Sequence, residues 1–301
     1  MTAGVINLLK PPGMTSHDAV AFVRRIFRQK RVGHSGTLDP GAAGVLPVYL
    51  GQATRLVEYA DGFDKSYRAE ILFGTSTDTG DDTGATLIHK AVTAADLKGL
   101  AAAIESFAGG YEQVPPMYSA LKVDGKKLYE LARLGIEVER TARWIEITEI
   151  RLLWQTDDQA GLQVSCSKGT YIRTLCVDIG AKLGLPATMG FLLRTRVGPF
   201  DLNAALTLEE IAADPQGALL PADTAVQHLP ACRVCENEAR LLQQGQAVVC
   251  RNRPDLTEPE SLLRLYSEKT GLFGMGRIIG QSGMLQPVKI FVDGIDKNAD
   301  N

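Results

Sequence analysis

Strand-like and helix-like segments interleave along this chain in no regular βαβ rhythm, and that irregularity restricts the fold more than any other single feature. The stretches "YRAEILF" (67–73), "RWIEITEIRLLW" (143–154), "GLQVSCS" (161–167) and "FLLRTRVGPF" (191–200) read as strands. Around them, "TSHDAVAFVRRIF" places Ala19, Val23, Ile26 and Phe27 at helical spacing behind a Thr15/Asp18 capping box. Residues 93–107 predict a second capped helix with Leu97, Leu100, Ala101, Ile104 and Phe107 on one face. "YIRTLCVDIGAKLG" (171–184) returns to helical spacing through Ile172, Leu175, Ile179 and Leu183. A doubly wound sheet requires regular alternation of strand and helix, so the class predicted is α+β. Beyond "DPQGALLPADTAVQHLP" (214–230) come short strands with Gly-rich turns, "RLYS", "GLFGMGRIIG" and "QPVKIFV", which predict a small appended β-barrel. The closing "DGIDKNADN" reads as a frayed end.

The chain has 301 residues, 45% hydrophobic and 22% charged, with a net charge of −3, enough for a large domain and a small one. No apolar run approaches a membrane span. "GVINLL" is short, runs into Lys10-Pro11-Pro12 and has no basic start or cleavage site, so a cytoplasmic location is expected. Five cysteines, an odd number, argue against a disulfide framework. Cys232 and Cys235, with His228 and Cys250 near, raise the question of zinc. There is no second ligand pair at finger spacing, and free thiols on a reduced protein are the favoured reading. Charge is uneven. Lys10, Arg24, Arg25, Arg28, Lys30 and Arg31 face only Asp18 within residues 1–35, and Lys122, Lys126, Lys127 and Arg133 gather in 117–133. Either cluster alone fits a solvated helix face; together they suggest a basic face for a polyanion.

One carboxylate stands out. In "GHSGTLDPGAAGVLPV" (33–48) Asp39 is the only acid among Gly33, Gly36, Gly41, Gly44 and small apolar residues. The glycines permit close backbone approach to a ligand, and Pro40 biases Asp39 toward extended backbone. On the loop alone, an aspartate that caps the following segment or a turn is the favoured reading. "GHSGT" is not a nucleophile elbow, and no phosphate-binding loop, dinucleotide fingerprint or H-E-x-x-H motif is present. The acidic loop "GTSTDTGDDTG" (74–84) lacks EF-hand spacing and reads as a surface turn.

"GTLDPGAAGVLPV" resembles the loop that carries the catalytic aspartate of pseudouridine synthases. "LLKPPGMTSHDAV", "KSYRAEILFGTSTDTGDDTG", "VPPMYSALKVDGKKLYELAR" and "GTYIRTLCVDIGAKLG" follow in family order. The set resembles the TruB-type tRNA pseudouridine-55 synthases, strongly over about residues 4–200 and weakly beyond. The resemblance implies a mixed-sheet catalytic domain over 1–230 with an RNA-clamping insertion at about 115–140. It also implies a small PUA-like RNA-binding β-barrel over 231–301. It implies a uridine-to-pseudouridine isomerisation in the T-arm loop of tRNA, by base flipping, with no cofactor and no metal.

Residue by residue, the resemblance makes Asp39 the nucleophile and Arg173, in "GTYIR", the cation that keeps it ionised and aimed. Tyr67 matches the tyrosine that packs on the target base and serves in proton transfer. Tyr171 and Leu192 match pocket residues, and Leu193 departs from the family, where a basic residue is common. His34 matches the loop residue that takes the place of flipped nucleotides. The partner implied is the tRNA T-arm, bound by a monomer that needs no protein partner and no membrane. Three other readings stay open at this point: an RNA-binding protein without catalysis, a guide-RNA-dependent synthase of the dyskerin type, and a nucleosidase.

Overall fold

A computed structural model of the chain describes residues 2–123, 125–249, 261–279 and 283–291. An eight-stranded sheet runs from Gly4–Lys10 through Ala43–Leu50, Ala187–Val197, Lys65–Phe73 and Gln159–Cys166 to Ile147–Gln155. Val32–His34 joins Ala43–Leu50, and Phe200–Asp201 joins Ala187–Val197. The sheet is mixed. Ala187–Val197 runs parallel to Ala43–Leu50, at Leu193 to Ala43 and Arg194 to Gly44, and antiparallel to Lys65–Phe73. The α+β expectation holds.

The strand Ala43–Leu50 is buried along its whole length. Alternation of side chains sends it to two cores. Leu46, Val48 and Leu50 pack with Ile6, Leu8, Ala19, Val20 and Val23, the last three from the helix Ser16–Ile26. That helix starts where predicted, with Thr15 and Asp18 forming the capping box. Burying each large aliphatic side chain on this face contributes roughly 1.5–3 kcal/mol. Val45 and Tyr49 point the other way, into a cluster that also holds Tyr266, Leu272, Met275 and Phe291.

Of these, Tyr266, Leu272 and Met275 belong to the C-terminal sheet, five strands in the order Ala231–Arg233, Leu262–Ser267, Gly271–Ile279, Met284–Ile290, Val248–Val249, and Phe291 directly follows Met284–Ile290. The two sheets thus share a core. Arg55 Nη1 donates to the Ile290 carbonyl at 2.7 Å, and Lys289 pairs with Glu58 across the same seam.

Two expectations need adjustment. Residues 93–107 do not form one helix. Gly99, at φ 85°, breaks the run, leaving Leu100–Glu105 helical behind a turn in which Asp96 accepts from Thr93. Leu97, Leu100, Ile104 and Phe107 are buried as expected, but Ala103 replaces Ala101 on that face. The 143–154 strand is two, Arg143–Ile145 paired with Tyr111–Gln113 and Ile147–Gln155 in the main sheet. Cys250 and the closing segment from 293 onward, read as frayed, lie outside the described residues. Among the described residues no helix is long and apolar enough to cross a membrane.

Candidate active site

Asp39 sits at the end of a loop stapled from beneath. Ser16, in the first turn of its helix, accepts from Leu38 N–H at 2.9 Å and donates to Leu38 O at 3.2 Å. Gly13 N–H donates to Pro40 O at 2.8 Å. Lys10 is wholly buried and spends its ammonium on backbone oxygens, donating to Pro11 O at 2.9 Å, Met14 O at 2.6 Å and Pro40 O at 3.3 Å. Burial, reinforced by the Arg194 charge, pulls the Lys10 pKa down to about 8. The family-like "KPPG" and "TSHD" segments are therefore fixtures of the loop.

Arg173 meets Asp39, as the resemblance implies. It lies in the first turn of the helix Ile172–Lys182, and its Nε is 3.1 Å from Asp39 Oδ2. Two further features define the pair. The Asp39 side chain keeps 43% exposure while that of Arg173 keeps 7%, so the acid stands at the mouth of the site and only the base is buried. The guanidinium fork is not spent on Asp39. Nη1 donates to Thr79 O at 2.9 Å and Nη2 to Tyr118 O at 2.6 Å, leaving Nε for the carboxylate. An arginine with every edge engaged holds one orientation, which a lysine could not reproduce.

Asp81 was missed by sequence reasoning. Its Oδ2 is 3.8 Å from Arg173 Nε, and its side chain is 14% exposed. Thr79 and Thr83 hydroxyls donate to its Oδ1 at 2.8 and 2.6 Å. The acidic loop is thus not only a surface turn: it supplies a second carboxylate and a carbonyl to the arginine. Gln113, 2% exposed, was missed as well. Its amide accepts from Tyr171 N–H at 2.8 Å and donates to Tyr171 O at 3.1 Å, fixing the residue that precedes the Arg173 helix. It also bonds Tyr111 Oη, which donates to Asp178.

The other expected residues distribute around this pair. Tyr67 lies in Lys65–Phe73, 7% exposed, and burial pushes its phenol up to about 12, so it is protonated at neutral pH. Leu192 belongs with Tyr67, Leu38 and Ala42 to one buried hydrophobic cluster. Tyr171 caps the Arg173 helix. His34 ends the strand Val32–His34, its ring edge-on to His17 at 6.0 Å. Burial, with the charges of His17 and Arg194, lowers His34 to about 4, so its imidazole is neutral at pH 7. The insertion folds as a hairpin, Lys122–Val123 with Lys126–Lys127, followed by the helix Leu128–Arg133. Lys127 and Arg133 lie over the Tyr129 ring. Among the described residues no three His, Cys, Asp or Glu side chains converge as a metal site would require.

The fold is that of the pseudouridine synthases. Two solved structures align along nearly the whole chain. One is titled "Structure of H/ACA RNP bound to a substrate RNA containing 2'-deoxyuridine", with TM-score 0.73 and 26% identity over 96% of this chain and 84% of that one. The other is "Crystal structure of the archaeal box H/ACA sRNP Nop10-Cbf5 complex", with TM-score 0.73 and 25% identity over 97% and 87%. Residues 24–172 match the TruB family pseudouridylate synthase N-terminal domain. Residues 173–227 match the tRNA pseudouridylate synthase B C-terminal domain, and 230–291 the pseudouridine synthase II TruB C-terminal model. Among relatives, tRNA pseudouridine synthase B of Moorella thermoacetica is 47% identical, covering 96% of this chain and 99% of its own. That of Heliobacterium modesticaldum is 44% identical, covering 96% and 95%. The chain belongs to the TruB family of pseudouridylate synthases.

Proposed function

We propose that this protein isomerises a uridine of tRNA to pseudouridine, at position 55 in the T-arm loop, with Asp39 as nucleophile. The observation that carries the reading is the Asp39–Arg173 pair, in which a buried, fully engaged arginine presents a half-open carboxylate. A carboxylate held by such a partner can add to a substrate and then leave. The family membership and the names of the relatives supply the substrate class.

The reaction balances without any cofactor. The N1–C1′ bond of uridine breaks, the uracil turns, and C5 bonds to C1′. The C5 proton departs and N1 takes one up. The glycosidic bond is shielded in a stacked loop, so the base must first leave the stack. Tyr67 and Leu192 form the wall for the extruded base, Tyr171 completes the pocket, and His34 fills the gap left behind. A neutral imidazole suits that last task, since a flat uncharged ring can stack. The insertion at 115–140, with its lysines and Tyr129, clamps the RNA. Residues 1–230 act as the catalytic unit. The C-terminal sheet from 231 acts as a PUA-like contributor to RNA binding. The protein works in the cytoplasm as a monomer without protein partners.

The deciding assay is single-turnover pseudouridine formation on a bare T-arm stem–loop, with no guide RNA added. Wild-type protein converts it. Asp39→Asn, which keeps shape and loses charge, abolishes conversion while RNA affinity stays within about an order of magnitude. Turnover by Asp39→Asn would sink the nucleophile. A need for guide RNA would favour the dyskerin-type reading, and free uracil would reveal a nucleosidase.

A further inference from the structure

Arg194 is the largest fully buried side chain among the described residues, at 1% exposure. No carboxylate neutralises it in any ion pair among the described residues. Its guanidinium is satisfied by neutral oxygens: Nε donates to Val45 O at 2.8 Å, Nη2 to Gly36 O at 2.9 Å and Nη1 to Thr37 O at 3.5 Å. Tyr67 is its cross-strand neighbour, so the phenol lies on the same face of the sheet as the guanidinium. An uncompensated buried cation is expensive, and an apolar residue of similar volume would serve a core better. The strand itself shows how closely this residue is built in. A Cβ on Gly44, at φ 121°, would fall 2.2 Å from Arg194 O, and a Cβ on Gly36 would stand 3.3 Å from its Nη1.

We propose that Arg194 is a positioning residue for the reaction, holding the Tyr67 hydroxyl and the backbone of the Asp39 loop in one fixed relation. The proposal rests on the reading of Asp39 and Tyr67 given above. The three carbonyls lie at both ends of the segment that bears Asp39: Gly36 and Thr37 before it, Val45 after it. One rigid planar group therefore spans the base of the loop. Arginine has donors only, so in the contact the proposal requires the Tyr67 oxygen is the acceptor. The phenolic hydrogen then points away from the guanidinium and stays available as a donor. Because the tyrosine is protonated at working pH, Arg194 decides where its proton is aimed. Lysine at 194 would keep the charge but not the fork that reaches Tyr67, Gly36 and Val45 together.

The test compares wild type, Arg194→Lys, Tyr67→Phe and the double variant. In the free proteins labelled with [13Cζ]tyrosine, the Tyr67 signal is assigned by its absence in Tyr67→Phe. Arg194→Lys should shift it, and an unmoved signal would overturn the contact. This readout needs no turnover, so it decides the contact even if the T-arm proves to be the wrong RNA. In single-turnover assays, Arg194→Lys should lose about 10- to 100-fold in rate, the range of a charge-assisted hydrogen bond, with stem–loop affinity within about threefold of wild type. The double variant should be no more than about threefold slower than Tyr67→Phe, because both changes remove the same relation. Multiplying losses, or a loss confined to RNA affinity, would show that Arg194 acts as core structure and not through Tyr67. If the lysine variant does not fold, Arg194→Gln, which keeps two N–H donors without a buried charge, takes its place in both arms.

Discussion

The side chain of Gln113 pairs with Tyr171 as a neighbouring strand would, accepting from its N–H at 2.8 Å and donating to its carbonyl at 3.1 Å. Tyr171 stands two residues before Arg173, so this amide anchors the start of the helix that aims the arginine. Gln113→Glu keeps the size but turns the donor toward Tyr171 O into a second acceptor. A buried polar group left in conflict costs about 1–3 kcal/mol, and urea denaturation should read a loss of that size. Stem–loop affinity should change little and the single-turnover rate should fall about tenfold or more. Gln113→Glu with wild-type stability and rate would show that the amide pairing is dispensable.

Arg173 divides its donors among Asp39, Thr79 O and Tyr118 O. Arg173→Lys cannot serve all three, so its rate should lie near that of Arg173→Met, with both at least about 100-fold below wild type. Asp81→Asn should have a smaller effect, because Asp39 keeps its direct contact. The order wild type, Asp81→Asn, Arg173→Lys, Arg173→Met in pseudouridine formation checks the arrangement. A nearly active lysine variant would mean that charge alone suffices.

His34 gives a pH signature. In the folded protein, burial lowers its pKa to about 4, whereas an unfolded histidine takes its proton near 6.5. Between these values the unfolded chain binds more protons, so stability declines as pH drops from 6.5 through 4. In His34→Gln that contribution is gone. Chemical denaturation at a series of pH values should show a shallower acid decline in the variant than in wild type. Parallel curves would mean that His34 does not titrate in this way.

Lys10 tests the floor of the loop. Lys10→Met leaves the Pro11, Met14 and Pro40 carbonyls without their shared donor, although methionine fills most of the volume. The melting temperature should fall by several degrees, corresponding to about 1–3 kcal/mol. An unchanged melting curve would show that these carbonyls find other donors.

The two charged residues at the centre of the site, Asp39 and Arg173, were legible because each sits inside a sequence segment that resembles its family counterpart. The four that hold them were not, for a common reason. Arg194 and Lys10 bond to backbone oxygens and Gln113 to the N–H and carbonyl of Tyr171, and a backbone group has no sequence identity to recognise. Asp81 lies in a loop whose acidic, Gly-rich composition is that of any solvated turn. The fold followed the same division. The helix Ser16–Ile26 has its cap and stripe written locally, so it was found. The 93–107 helix was overextended because an apolar stripe continues across Gly99 even though the backbone there turns left-handed. The parallel pairing of Ala187–Val197 with Ala43–Leu50 joins distant segments and leaves no local trace.

The arginine at the centre of the site gathers partners that lie far apart along the chain. Its bonds to Thr79 and Tyr118 span 94 and 55 residues. The Asp39 contact reaches further still. Closing such loops costs entropy that no single hydrogen bond recovers, so these contacts form only once the sheet has brought their carriers together. During refolding, secondary structure and burial should therefore return before catalytic competence. A chain caught partway would be compact and still inert.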